Sequence, residues 1–288
     1  MTFSLGPNQY GKAGVRLVTV DGGVVTDLTI ASALSGDLEA THYTGDNSAV
    51  LATDTQKNTM YAFAREFGVG SPEEFGLRLG RHFVTSQKAI STARLTVEQH
   101  RWERIPVDGE PAPHSFVRSG TETRRARVVV SEDSAAVSSG LGGLTVMNTT
   151  DSEFHGFPRD RYTTLPETSD RILATSVDAW WDHTGTDLDW EAVYDQARGA
   201  LLTAFASTYS YSLQQTLLSM GSLLLSACPS VGEVRLSLPN KHHNLVDLSP
   251  FGLDNPNRVY VAPTEPFGLI QGTVRRDGAT YSEGPALW

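Results

Sequence analysis

The chain has 288 residues, enough for one large domain or two of ordinary size, and its 39% hydrophobic and 19% charged residues argue against wholesale disorder. With 33 acidic and 23 basic side chains the formal net charge is -10, which makes phosphate backbones and anionic membranes poor partners. Cys228 is the only cysteine, which excludes an intrachain disulfide and a cysteine-based zinc or iron–sulfur site and fits a reducing compartment.

The first residues, Met1-Thr2-Phe3-Ser4-Leu5-Gly6, lack the basic stretch and apolar core of a signal peptide. Val15, Leu17 and Thr19 then alternate with Arg16, Val18 and Val20. Asp21-Gly22-Gly23 turns this strand into a second over Val24 to Ile30. Thr53 stands three residues before Gln56 in a capping-box pattern, and Met60, Phe63 and Phe67 follow at helical spacing. A second helix starts with Ser71 as N-cap, Pro72 in the first position and Glu74 closing the box; Phe75, Leu79 and Phe83 form its apolar face. Residues 91–104 and 123–130 read as strands. So do Leu144 to Asn148 and Arg171 to Trp181, after which helices are expected over Trp190 to Thr208 and about Ser212 to Ala227. Val234, Leu236 and Leu238 alternate as a strand, and Val259 to Ala262 and Leu269 to Val274 look like two more. No apolar run approaches the roughly 20 residues a membrane span needs. The last residues, Ala286-Leu287-Trp288, are not a Ser-Lys-Leu peroxisomal address, so the cytoplasm is the expected location. The order strand–strand–helix–helix–strand–strand occurs twice, the pattern of an α+β protein with an antiparallel sheet and helices along one face.

Generic motifs carry little. Ser138-Ser139-Gly140-Leu141-Gly142-Gly143-Leu144 is glycine-rich, but a phosphate loop needs a strand before it and a helix after it, so a hairpin turn or bulge is expected here. None of the eight histidines falls in a His-x-His or His-Glu-x-x-His pattern, which speaks against a histidine-bound metal.

Four segments hold denser chemistry. Lys12 follows Gly11 at the mouth of the first strand, as an exposed strand-end lysine or a working one. Ala52-Thr53-Asp54-Thr55-Gln56-Lys57-Asn58-Thr59 opens a helix whose free N–H groups suit an anion as well as a cap. Phe154 and Arg171 are either a core aromatic and a surface arginine, or a stacking ring and a clamp for a flat anion. Asn240, Lys241, His242 and His243 form a polar loop directly after a strand, where catalysis is often placed.

Taken together these segments resemble the urate oxidase family, in order and along nearly the whole chain. The matching stretches are Tyr10-Gly11-Lys12, Ala-Thr-Asp-Thr-Gln-Lys-Asn-Thr at 52–59 and Phe-His-Gly-Phe at 154–157. Arg-Asp-x-Tyr-Thr-Thr-Leu at 159–165, Asp-Arg-Ile-Leu-Ala-Thr at 170–175, Leu-Gln-Gln-Thr at 213–216 and Ser-Leu-Pro-Asn-Lys-His at 237–242 continue the series.

The resemblance implies tandem tunnelling-fold units, divided here into residues 1–135 and 136–288, and a barrel closed by oligomerisation into a homotetramer with active sites between subunits. It implies a substrate, urate, oxidised by dioxygen with no metal or organic cofactor. By the same resemblance Arg171 and Gln214 grip the pyrimidine edge, Phe154 stacks on the purine face, and Leu213 lines the pocket. Thr53 and the N–H of Asp54, from a neighbouring subunit, bind the imidazole edge. Lys12, Thr53 and His242 form the proton relay, and Asn240 helps hold dioxygen or water over the ring. The chain departs from the family at Leu213, often valine, at His155, often tryptophan, and at His243, commonly tyrosine; the segment from Ser86 to Leu95 looks shorter than in some relatives. The competing readings are a pterin- or purine-handling enzyme on the same fold, whose metal-dependent members need clustered ligands not seen here, and a catalytically dead binding protein, against which intact Lys12, Thr53 and His242 argue.

Overall fold

Apolar alternation builds strands wherever one face is buried, and several strands continue past the point where it ends. The computed structural model describes residues 3–278; the expectations resting on Met1, Thr2 and Ala286-Leu287-Trp288 fall outside them. Strands β1 (Val15–Asp21) and β2 (Val24–Gly36) make a hairpin whose turn, Gly22-Gly23, has positive φ at both glycines. A short α1 (Glu39–Thr44), without buried residues, was not foreseen. Helices α2 (Thr53–Phe67) and α3 (Pro72–Ser86) follow, then β3 (Ile90–Val107) and β4 (Glu110–Ser131). The chain continues through β5 (Ala135–Asn148), β6 (Leu173–His183), α4 (Trp190–Ser207) and α5 (Leu213–Ala227). It ends its described part with β7 (Val231–Asn240), β8 (Asn244–Leu245), β9 (Tyr260–Val261) and β10 (Gly268–Arg275). Strand–strand–helix–helix–strand–strand thus occurs twice, with α1 and the β8–β9 pair as additions.

Two compact units divide the chain: Met1–Leu141 with Trp181–Tyr194, and Gly142–Trp180 with Asp195–Trp288. In the first, β1, β2, β3 and β4 are neighbours in that order, each antiparallel to the next. Their shared face carries Leu28, Ile30, Leu95, Val97 and Val128, packed under Phe75, Leu79 and Phe83 of α3 and Met60 of α2, all fully buried. In the second, β10 pairs antiparallel with β7, and α5 packs on both. Leu213, Leu217, Met220 and Leu224 of α5 and Val234, Leu236 and Leu238 of β7 are buried.

Three expectations are corrected. The segment 138–144 is not a turn but the interior of β5, where Ser139, Gly140, Leu141 and Gly142 are buried; only Gly143, at φ 73°, makes it irregular. The strand foreseen at 91–104 is β3 to within three residues, but that foreseen at 123–130 is only the inner part of β4. The outer part of this long hairpin is mostly exposed, so no alternation marks it. The helix-start pattern at Thr53 does not form a capping box. Ala52 is the N-cap and has no side-chain acceptor, Thr53 is already the first helical residue, and the buried Gln56 amide is engaged elsewhere, accepting from Ser32 Oγ at 2.7 Å and donating to the Leu51 carbonyl at 3.1 Å. At α3 the box is half formed: Ser71 Oγ accepts from Glu74 N at 3.1 Å, while the Glu74 carboxylate pairs with Arg78 at 2.8 Å.

A buried polar network anchors the start of α3 in the first unit. Glu73, with no exposed surface, accepts from Arg124 at 2.8 Å and from Ser139 Oγ at 2.6 Å. Because Ser139 gives its proton to Glu73, it must accept from His183 Nε2, 2.8 Å away. His183 therefore carries a proton on Nε2, and burial, which pushes its pKa down to about 4, keeps the ring neutral near pH 7.

Candidate functional site

The second unit contains a cavity of about 550 Å³ lined by Phe154, Arg171, Leu213, Gln214, Asn240 and His242 among others. These six come from four separate stretches of chain, and local chemistry fixes each. The segment carrying Phe154 is pinned on both sides: Phe154 N donates to the Thr168 carbonyl at 2.9 Å and Thr168 N to the Phe154 carbonyl at 3.1 Å. Gly156 takes φ 72°, which turns the chain so that Phe157 stacks on Phe154 with centroids 5.0 Å apart.

Arg171 enters just before β6. Its N–H donates to the Ser152 carbonyl at 2.8 Å and its Nε to Ser152 Oγ at 3.3 Å, and its guanidinium carbon lies 5.2 Å from the Phe154 ring centre. It forms no ion pair with the described residues, and burial lowers its pKa. A half-buried cation without a carboxylate is costly unless something anionic completes it. Leu213 and Gln214 are the first residues of α5. Ser212 caps this helix, accepting from Gln215 N at 3.2 Å, and the Gln215 side chain reaches back to Tyr211 N at 2.9 Å. Asn240 ends β7; past it, Lys241 N donates to the Ala174 carbonyl at 2.8 Å, which holds His242 at the cavity edge.

The resulting pocket has an aromatic face, a forked cation, an amide and an imidazole around a slot of small-molecule size. Such a set suits a flat, anionic, hydrogen-bonding ring. His243 also lines it. So do Leu245, Asn257 and Tyr260, which the sequence did not single out; they lie in or beside the β8–β9 pair, where two-residue strands leave no periodic signal.

Lys12, Thr53 and Asp54 belong to the first unit and do not line this cavity. They are gathered by their own contacts. Tyr10 and Leu34 exchange backbone hydrogen bonds of 3.0 and 2.7 Å, and Ser32 N donates to the Lys12 carbonyl at 2.8 Å. Gly11 between them is required, since a Cβ there would sit 1.8 Å from the Ser32 oxygen. Ser32 Oγ accepts from Lys12 N at 3.3 Å and donates to Gln56, so the lysine backbone is coupled to the first turn of α2. At that turn Asp54 is held below the usual carboxylate range, first by Lys57, 2.5 Å away, and last by Lys12. The helix start, lacking a side-chain cap, keeps free N–H groups, and the Thr53 hydroxyl makes no cap hydrogen bond. Among the described residues no group of three or more His, Cys, Asp or Glu is placed to hold a metal, and no helix is long and apolar enough to cross a membrane.

The Uricase family profile matches residues 8–129 and 137–271. The chain is 50% identical to the uricase of Arthrobacter globiformis over 279 residues, 96% of this chain and 91% of that protein. It is 40% identical to the uricase of Aspergillus flavus over 288 aligned positions, 93% of this chain and 95% of that one. The crystal structure of the Arthrobacter globiformis uricase superposes with a TM-score of 0.93 at 49% identity, covering 98% of each chain. The urate oxidase of Bacillus sp. TB-90, at 24% identity, shares the fold with a TM-score of 0.82 over 94% of this chain and all of that one.

Proposed function

This chain belongs to the uricase family and is an oxidoreductase acting on urate, and we propose that it does so without a cofactor, at sites built from two subunits of a homotetramer. The observation that carries the reading is Arg171, a guanidinium with no ion pair among the described residues, over Phe154 in a pocket completed by Gln214, Asn240 and His242. The charge and fork geometry fit one edge of a planar urate anion, Gln214 adds an amide beside it, and the Phe154 ring offers a stacking face. Leu213 closes the apolar side. The opposite, imidazole edge is assigned to Thr53 and the N–H of Asp54 from the partner subunit, an uncapped helix start being a natural anion site.

Dioxygen is a triplet, so its two-electron reaction with a singlet substrate is spin-forbidden; enzymes commonly meet this with a flavin or metal. An electron-rich urate anion can donate its electrons singly. The protein's part is then to bind the anion, remove a further proton and hold dioxygen against the ring face. Lys12, Thr53 and His242 form the proton relay, and Asn240 helps hold dioxygen or water. Urate loses two electrons to dioxygen, water adds as hydroxide at C5, and the products are 5-hydroxyisourate and hydrogen peroxide. This is a step of purine degradation.

The test is direct. Under oxygen the purified protein removes urate's ultraviolet absorbance and releases one peroxide per urate. Absorbance unchanged, or lost without peroxide, overturns the reading.

A further inference from the structure

We infer that Ser152 is a positioning residue that aims the Arg171 guanidinium, an inference that rests on Arg171 being the urate clamp. Ser152 has no exposed surface. It holds Arg171 twice, its carbonyl accepting the Arg171 N–H at 2.8 Å and its Oγ accepting Nε–H at 3.3 Å. Fixing Nε leaves the two terminal nitrogens of the fork for a ligand. The partner's neutrality matters as much as its place. A carboxylate at this position would fix the arginine equally well but would neutralise it and compete with an anionic substrate, whereas a hydroxyl sets direction and leaves the charge intact.

Ser152 is itself held by a second buried serine. It bridges to Ser210, while Glu153 N donates to the Ser210 carbonyl and Ser210 N to the Asp151 carbonyl, both at 2.9 Å. Thr216 Oγ1 donates to Ser210 Oγ at 2.8 Å, and Ser210 Oγ donates to the Ser212 carbonyl at 3.2 Å. Ser210 and Thr216 are fully buried, and Ser212 caps the helix that begins with Leu213 and Gln214. A frame of buried hydroxyls and backbone groups therefore sets Arg171, the segment leading to Phe154 and the start of α5 in one geometry. A loosened clamp binds its ligand less well even when every contacting side chain is present.

The experiment is a double-mutant cycle read by anaerobic equilibrium dialysis of urate, with steady-state kinetics alongside. S152A weakens urate binding by about tenfold, the scale of one hydrogen bond to a charged group, with kcat within about twofold of wild type. S152T, which keeps the acceptor, restores binding. In the R171A background S152A has little further effect, because the group it positions is gone. Equal losses from S152A in both backgrounds overturn the proposal, as does wild-type binding by S152A. If instead R171A alone binds urate like wild type, it is the clamp reading that fails. Should S152A not fold, the Arg171 Nε–H resonance of wild-type protein labelled with ¹⁵N-arginine decides. Slow solvent exchange supports the Ser152 bond, and exchange as fast as an exposed arginine refutes it.

Discussion

Replacing Arg171 by alanine separates a binding role from a structural one, because only the structural role predicts a large loss of stability. The guanidinium makes no ion pair with the described residues; its side chain has the Ser152 hydroxyl and the face of Phe154. Burial without a charged partner disfavours its ionised form, as its lowered pKa records. Truncation removes one hydrogen bond, worth about 1 kcal/mol, and also removes the desolvation cost of an uncompensated cation, so the two offset. A change of 1 kcal/mol moves Tm by about 2–4 °C in a protein of this size, and R171A is expected to melt within that range of wild type. Its loss appears in substrate binding instead. A charge-assisted pair with the urate anion is worth about 1.5–3 kcal/mol, so kcat/KM falls about 10- to 150-fold, mostly through KM. Thermal denaturation without ligand, with initial rates over a wide urate range, reads both quantities. A drop in Tm well beyond this range with KM unchanged would refute the reasoning and make Arg171 a structural residue.

K12M is expected to lower kcat while leaving the affinity for a competitive inhibitor nearly intact, as befits a relay member; lost inhibitor binding with turnover preserved at saturation would contradict that role. Full activity should survive exhaustive chelation and dialysis with no visible flavin or haem band, and activity lost to a chelator and restored by one metal would sink cofactor independence. His183, buried neutral with its pKa at about 4, is more easily protonated in the unfolded chain. Its contribution to stability is complete above the unfolded value near pH 6.5. It is lost as pH falls from there towards about 4, at up to about 1.4 kcal/mol per pH unit. Denaturant midpoints measured across this window should fall less steeply for H183Q than for wild type; parallel curves would show that another group carries the acid sensitivity.

What could be read from the sequence followed the range of the interactions. The helix start at Ser71 rests on a bond three residues long, and its residues were visible as a local pattern. Phe154, Arg171, Asn240 and His242 were visible as unusual chemistry, Gln214 only through the family resemblance, and all line one cavity. Thr53 misled because Ala52, not Thr53, is the N-cap, and Gln56, three residues on, spends its amide on Ser32, a partner 24 residues earlier. Ser152 and Ser210 were invisible for the same reason, since each looks like an ordinary loop serine until the chain folds. Gly76 and Gly80 of α3 lie so close to β4 that a Cβ would come within 2.8 and 2.7 Å of Val128 and Val130, a closeness no local pattern marks. Gly221 of α5 does the same against Val274 of β10, at 2.5 Å. Each unit thus packs a helix on its sheet through glycine-to-valine contact, a repeat in three dimensions that no residue periodicity announces.

The central claim is that each site combines Lys12 and Thr53 of one subunit with Phe154, Arg171 and Gln214 of its partner. It is tested most directly by complementation between T53A and R171A, assayed at urate far below the KM of R171A, where each pure variant turns over little substrate. Unfolded and refolded together in equal amounts, they form mixed dimers in which symmetry gives one site both substitutions and the other neither. With random pairing about half of the dimers are mixed, so about one quarter of all sites are wild type and activity recovers to about that fraction. Activity that stays at the level of the separate variants, with subunit exchange verified by mass-tagged chains, contradicts the shared site.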